Sequence, residues 1–221
     1  MKITTFLFLA ALSAQSISSE YGKKTEIPEG QMVNMAQSHL GHVYASWPTT
    51  PNQEGFLTTA IEEANIAKTH IDLAMQQSAN LEWLKLHTSH VVHALDGKGQ
   101  GPGLGFGLSD ASKGVKKHIM LAAQSPGSSD AIQLHALHIA TSAKNVTNWS
   151  KKALNIGKKL EKTNNLNEAQ TYAIELQFLM NAIVSGIDAN EDGVITWHEG
   201  EGGLTQAKIH MDLLKAAEGL N

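Results

Sequence analysis

The chain has 221 residues and carries 17 Lys and Arg against 21 Asp and Glu, a net charge of −4. That length suits one main core with an appendage, and the balance of charge offers no basic stripe to track a phosphate backbone, so nucleic acid is excluded as a partner. With no cysteine at all, disulfides, thiolate metal ligands and covalent c-type haem are excluded too, which leaves His, Asp, Glu and Met for any metal chemistry.

The first residues, MKITTFLFLAALSAQS, set a lysine before an apolar run of about ten residues and then small residues, the layout of a cleaved secretory signal. Residues 1–19 are therefore expected to be removed, and the product to be secreted or periplasmic. No later stretch reaches the ~18 apolar residues of a membrane span.

From residue 31 the apolar positions recur at helical spacing, broken by turn-rich stretches such as SWPTTPNQEG (46–55), QSAN (77–80), DGKGQGPGLG (96–105) and SPGSSD (125–130). Helices are predicted near 31–46, 57–77, 80–96, 107–124 and 130–161. β-Branched residues never alternate usefully with polar ones, so no strand is expected. Rows of 48 residues starting at His39 align HLGHVYAS, HTSHVVHA and HALHIATS, so that His39/His42, His87/His90 and His135/His138 share columns. His70 and His118 share another, within KTHIDLAMQ and KKHIMLAAQ. An internal repeat of about 48 residues explains the phase, and each unit reads as an αα-hairpin. The fold class expected is all-α, an antiparallel helical bundle of tandem hairpin repeats over 31–161, with a further segment at 162–221.

On the helix at 80–96, His87 and His90 lie with Trp83 and Leu86 opposite a polar sector of Glu82, Lys85, Ser89 and Asp96, so they are expected to face protein. His93 falls beside the polar edge and is set aside as a ligand. His70 and His87 are equidistant from the turn at 78/79, as His118 and His135 are from that at 126/127, and antiparallel helices would bring each couple to one height. Each hairpin is thus expected to offer three imidazoles, and a pseudo-twofold bundle would bring six together in its core. His39 and His42 have no upstream hairpin partner and would extend or cap the layer.

Two imidazoles one helical turn apart plus a third from a neighbour form a three-nitrogen set suited to zinc, copper or nickel. Non-covalent haem b held by two facing histidines is the alternative cofactor, and packed core histidines are the alternative without one. Ferritin-type iron is disfavoured because no Glu-x-x-His motif occurs. Glu63, two turns from His70 on the same face, is a candidate acceptor behind a ligand.

The segment DANEDGVITWHE (188–199) resembles the EF-hand calcium loop. Asp188, Asn190 and Asp192 take positions one, three and five, Gly193 the sharp turn at six, Val194 the carbonyl at seven, Thr196 position nine, and Glu199 the closing carboxylate at twelve. Ile195 fills the apolar eighth position. The resemblance covers about 35 residues, with an entering helix near 166–187. It implies bound Ca2+, and it departs from the family in having no second loop and in an exit broken by Gly200, Gly202 and Gly203 before a helix near 204–218. No second loop supports an opening switch, so a structural or weak site is expected.

GPGLGFG (101–107) has the glycines of a phosphate loop but no preceding strand, and reads as a helix connector. Met211 beside His210 reads as helix packing. The sequence points to an exported metal-binding protein, with Ca2+ at 188–199 and a transition metal among the histidines. Alternatives are a metalloenzyme using that metal, which would need an open coordination position and a nearby acid or base, and a haem electron carrier.

Overall fold

A computed structural model describes residues 34–220, so the expected signal segment lies outside the described residues. Among them are seven α-helices, in chain order α1 (Met35–Tyr44), α2 (Phe56–Gln76), α3 (Leu81–Asp96), α4 (Leu108–Gln124), α5 (Asp130–Lys162), α6 (Leu166–Ser185) and α7 (Leu204–Ala217). There is no strand among the described residues. A single antiparallel bridge, Ser46 to Glu54, closes the loop between α1 and α2. The helix boundaries match the turn signals to within a residue or two, apart from the start of α1.

Side-chain caps explain several of the starts. Asn34, Asn80, Ser129 and Asn165 each accept from orphan amides in the first turn of α1, α3, α5 and α6. At the other end of α3, Gly97 takes the left-handed conformation, φ 69°, that favours a residue without a Cβ.

The 33-residue α5 is the central strut, contacting α3, α4, α6 and α7, while α2 lies against α3, α4 and α6. Between them the core is continuous and built from small and branched aliphatics: Ala64, Ile71, Leu84, Leu95, Ile119, Ile132, Ile139, Leu160, Leu176, Met180 and Ile183 are each fully buried. At roughly 1.5–3 kcal/mol for each large aliphatic side chain removed from water, this packing outweighs the helix propensities of the individual segments. Two outer helices complete the bundle. α1 packs on α4, and α7 packs on α5.

Glu63 is fully buried on α2, yet it does not reach His70 as a supporting acceptor. Its carboxylate takes the amides of Leu104 (3.1 Å), Phe106 (3.1 Å) and Gly107 (2.9 Å). It therefore serves the glycine-rich connector before α4, whose backbone groups would otherwise be unpaired.

Candidate metal centres

Nine of the 11 histidines gather into three separate groups: His39, His42 and His118; His70, His87 and His90; His135, His138 and His210. Each group joins an i, i+3 pair on one helix to a single histidine on another, and within each the candidate ligand atoms lie within 4.8 Å of one another. The pairs sit on α1, α3 and α5. Their partners come from α4, α2 and α7.

The geometry repeats from group to group. The Nδ1 atom of His118 is 3.3 Å from that of His39 and 3.1 Å from that of His42. That of His70 is 3.0 Å from His87 Nδ1 and 3.3 Å from His90 Nδ1. His210 Nδ1 is 3.2 Å from His135 Nδ1 and 3.3 Å from His138 Nδ1. Two nitrogens bound at tetrahedral angles to one ion, with bonds of about 2.0–2.1 Å, stand about 3.3 Å apart. A neutral imidazole Nδ1 either donates one proton or offers one lone pair, so hydrogen bonding cannot serve both of the central nitrogen's neighbours well.

Eight of the nine rings are also biased toward the neutral form that ligation requires. Burial and then the neighbouring His42 and His39, with Lys117, push His118 down to about 4. Burial and the nearby His138 and His135 do the same to His210, also to about 4. Burial lowers His42, His70, His87, His90, His135 and His138 as well.

A tryptophan stands against each group, and each is fixed differently. Trp47 lies 4.8 Å, ring to ring, from both His42 and His118. It is placed by the bridged loop, where its amide donates to Gln53 O and its carbonyl accepts from Thr50 Oγ1. Gly114 helps shape the same site, because a Cβ there would lie 2.4 Å from the ring of Phe56, which stacks on His118. Trp83 lies 4.3 Å from His87, its indole N–H donating to Leu73 O at 2.8 Å. Trp197 stacks 4.0 Å from His138. Its loop is held to α5 by the buried Asn145, which donates to His198 O and Gly202 O and accepts from Gly200 N.

The expected hairpin grouping is met at α2 and α3 and overturned at α4 and α5. His118 and His135 do not meet: His118 turns to α1 and His135 to α7, while Val115, Ile119, Ile132 and Ile139 of the same two helices are fully buried in the core. The single layer of six is replaced by three separate histidine groups. His39 and His42 find their partner in His118, and His210, passed over in the sequence, completes the third group. His93 stays outside the groups as expected, though it is buried rather than at a polar edge, with its Nδ1 2.9 Å from Lys98 O.

In the loop at 188–199, Asp188 accepts from Asp192 N and Gly193 N, Asn190 accepts from Asp192 N, and Asp192 accepts from Val194 N. Three of the expected oxygen ligands thus sit on the inner side of one turn, and Gly193 has φ 86°. Glu199 turns outward to Lys144 at 2.7 Å, whose hydrogen bond and charge hold its carboxyl below the ordinary value. The buried carboxylate here is Glu201, which accepts from the amide and hydroxyl of Thr196.

No family model, curated protein or solved structure matches this chain.

Proposed function

We propose that this chain is an exported metal-binding protein that carries one transition-metal ion at each of three trihistidine sites. The observation that carries this reading is the recurrence: three times over, a histidine pair one helical turn apart meets a third imidazole with Nδ1 separations of 3.0–3.3 Å. Zinc, copper and nickel all accept three imidazoles. The 48-residue phase of the pairs supports descent from a repeated αα-hairpin, with the third ligand recruited from a different helix in each site.

The haem alternative is less well supported. Two axial nitrogens stand about 4 Å apart across an iron, each bond being about 2 Å, with a flat macrocycle between them. Here one nitrogen of each group stands 3.0–3.3 Å from both of the others. A metalloenzyme would want an acid or base at the metal, and among the described residues no carboxylate is hydrogen-bonded or ion-paired to any of the nine imidazoles. Binding and carriage fit better than catalysis.

The loop at 188–199 is read as a calcium site, its oxygens supplied by Asp188, Asn190, Asp192, the Val194 carbonyl and Thr196. Glu199 would complete the shell on leaving Lys144. Titrating the metal-free chain with Zn2+, Cu+ or Ni2+ should saturate at three equivalents. Saturation at one equivalent or none rejects the three-site reading.

A further inference from the structure

The surroundings of the three sites discriminate among ions. Each ligand set is three neutral imidazoles without a thiolate or a carboxylate. A divalent ion would therefore keep its full double charge inside a partly buried site, and the cost of removing an ion from water grows with the square of its charge. Zinc sites usually answer this with a carboxylate or carbonyl that accepts the far N–H of each ligating histidine. No such acceptor is found among the described residues, and the far nitrogen of His87, Nε2, is buried with no partner.

What stands beside each group is an indole. Three of the four tryptophans take these positions, from a loop (Trp47), from the first turn of a ligand-bearing helix (Trp83) and from another loop (Trp197). Trp149, the fourth, is packed into the core. A common feature reached by three unrelated local structures points to the ion they share rather than to any one helix contact. The negative face of an indole attracts a cation without adding formal charge, and its apolar surface keeps water from the site.

Resting on the trihistidine sites as metal sites, we propose that the ion they select is monovalent copper, with three imidazole nitrogens as ligands and the tryptophan face covering the ion in place of a fourth ligand. Cu+ is content with three ligands, carries half the charge of Zn2+ or Ni2+, and requires no carboxylate nearby. A soft, polarisable indole face suits soft Cu+, which needs no fourth donor, better than Zn2+ or Ni2+, which would complete their shells with water or a harder ligand.

The test is a pair of anaerobic titrations of the metal-free chain, one with Cu+ against a colorimetric Cu+ chelator and one with Zn2+ against a Zn2+ chelator. They are repeated on Trp47→Leu, Trp83→Leu and Trp197→Leu, and on the Phe variant at each position to keep an aromatic face. Three Cu+ should bind per chain with loss of tryptophan emission. Each Leu variant should weaken Cu+ at one site about tenfold, leave Zn2+ binding unchanged, and be largely rescued by Phe. Tight Zn2+ at three sites with Cu+ binding weaker, or a Leu effect equal for both ions, overturns the selection of Cu+ while leaving the trihistidine sites intact. Binding of neither ion overturns the sites themselves.

Discussion

His210 Nδ1 lies 3.2 Å from His135 Nδ1, although the two are 75 residues apart and belong to different helices. The contact joins the C-terminal helix α7 to the long α5 and completes the third trihistidine group with His138. Nothing in the 48-residue phase reaches His210, so the third site depends on how α7 docks rather than on the repeat.

His210→Ala should therefore remove one of three bound transition-metal ions and leave two. His93→Ala, also a histidine on a ligand-bearing helix, should leave all three, because its ring is turned to Lys98 O. Elemental analysis of the two variants after loading and dialysis checks both outcomes.

The stability of the metal-free chain should fall as the pH drops from about 6.5 toward about 4. His118 and His210 have an ordinary value of 6.5 and are pushed down to about 4 in the folded chain. Between those limits the unfolded chain binds protons that the folded chain refuses, so unfolding is favoured as pH falls, and the loss levels off below about 4. Urea midpoints measured across this range should show the slope, and His118→Phe with His210→Phe should reduce it.

Calcium should raise the melting temperature of the chain, and Asp188→Ala with Asp192→Ala should abolish that rise while transition-metal stoichiometry stays at three. Lys144→Ala should strengthen the calcium effect, because it releases Glu199 from its 2.7 Å ion pair. Thermal melts with calcium and with a calcium chelator test this, and an equal rise in the double variant rejects the loop as the site.

Glu63→Ala should destabilise the fold by about 1–3 kcal/mol, since three connector amides lose their acceptor. It should leave the metal count untouched. Gly114→Ala sets two effects against each other: alanine favours a helix by about 1 kcal/mol, while the new Cβ would lie 2.4 Å from Phe56. Overpacking of this kind costs about 1–3 kcal/mol, so the variant should be less stable, and the shift of Phe56 should weaken metal binding at His118 alone. Chemical denaturation and site-by-site titration read these effects.

The helices were legible in the sequence because their ends are marked by residues that act locally. Asn34, Asn80, Ser129 and Asn165 cap them, and the turn at 77–80 fixes the heights of His70 and His87. The histidine pairs were legible for the same reason, since i, i+3 spacing needs no knowledge of the tertiary fold. Partner choice was not. His118 and His135 have the symmetry expected of a hairpin couple, yet α4 and α5 bury Ile119 and Ile132 in the core and turn these histidines to α1 and α7 instead. The symmetry of heights contains no information about rotation. Three pairs do require three partners, and that count, once His70 and His118 are assigned, leaves only His93, His198 and His210. Trp83 could be read beside His87 and His90 from helical spacing alone, but Trp47 and Trp197 carried no such signal, because they reach the histidines through loops whose paths are set by Thr50 and Asn145.

The most direct measurement is anomalous diffraction from crystals of the chain loaded with the transition metal, collected at that metal's absorption edge. Three peaks per chain, each about 2.0–2.1 Å from the three Nδ1 atoms of one group, are the predicted result. Anomalous peaks lying elsewhere, or nine imidazoles bonded only to one another with no peak among them, would contradict the account.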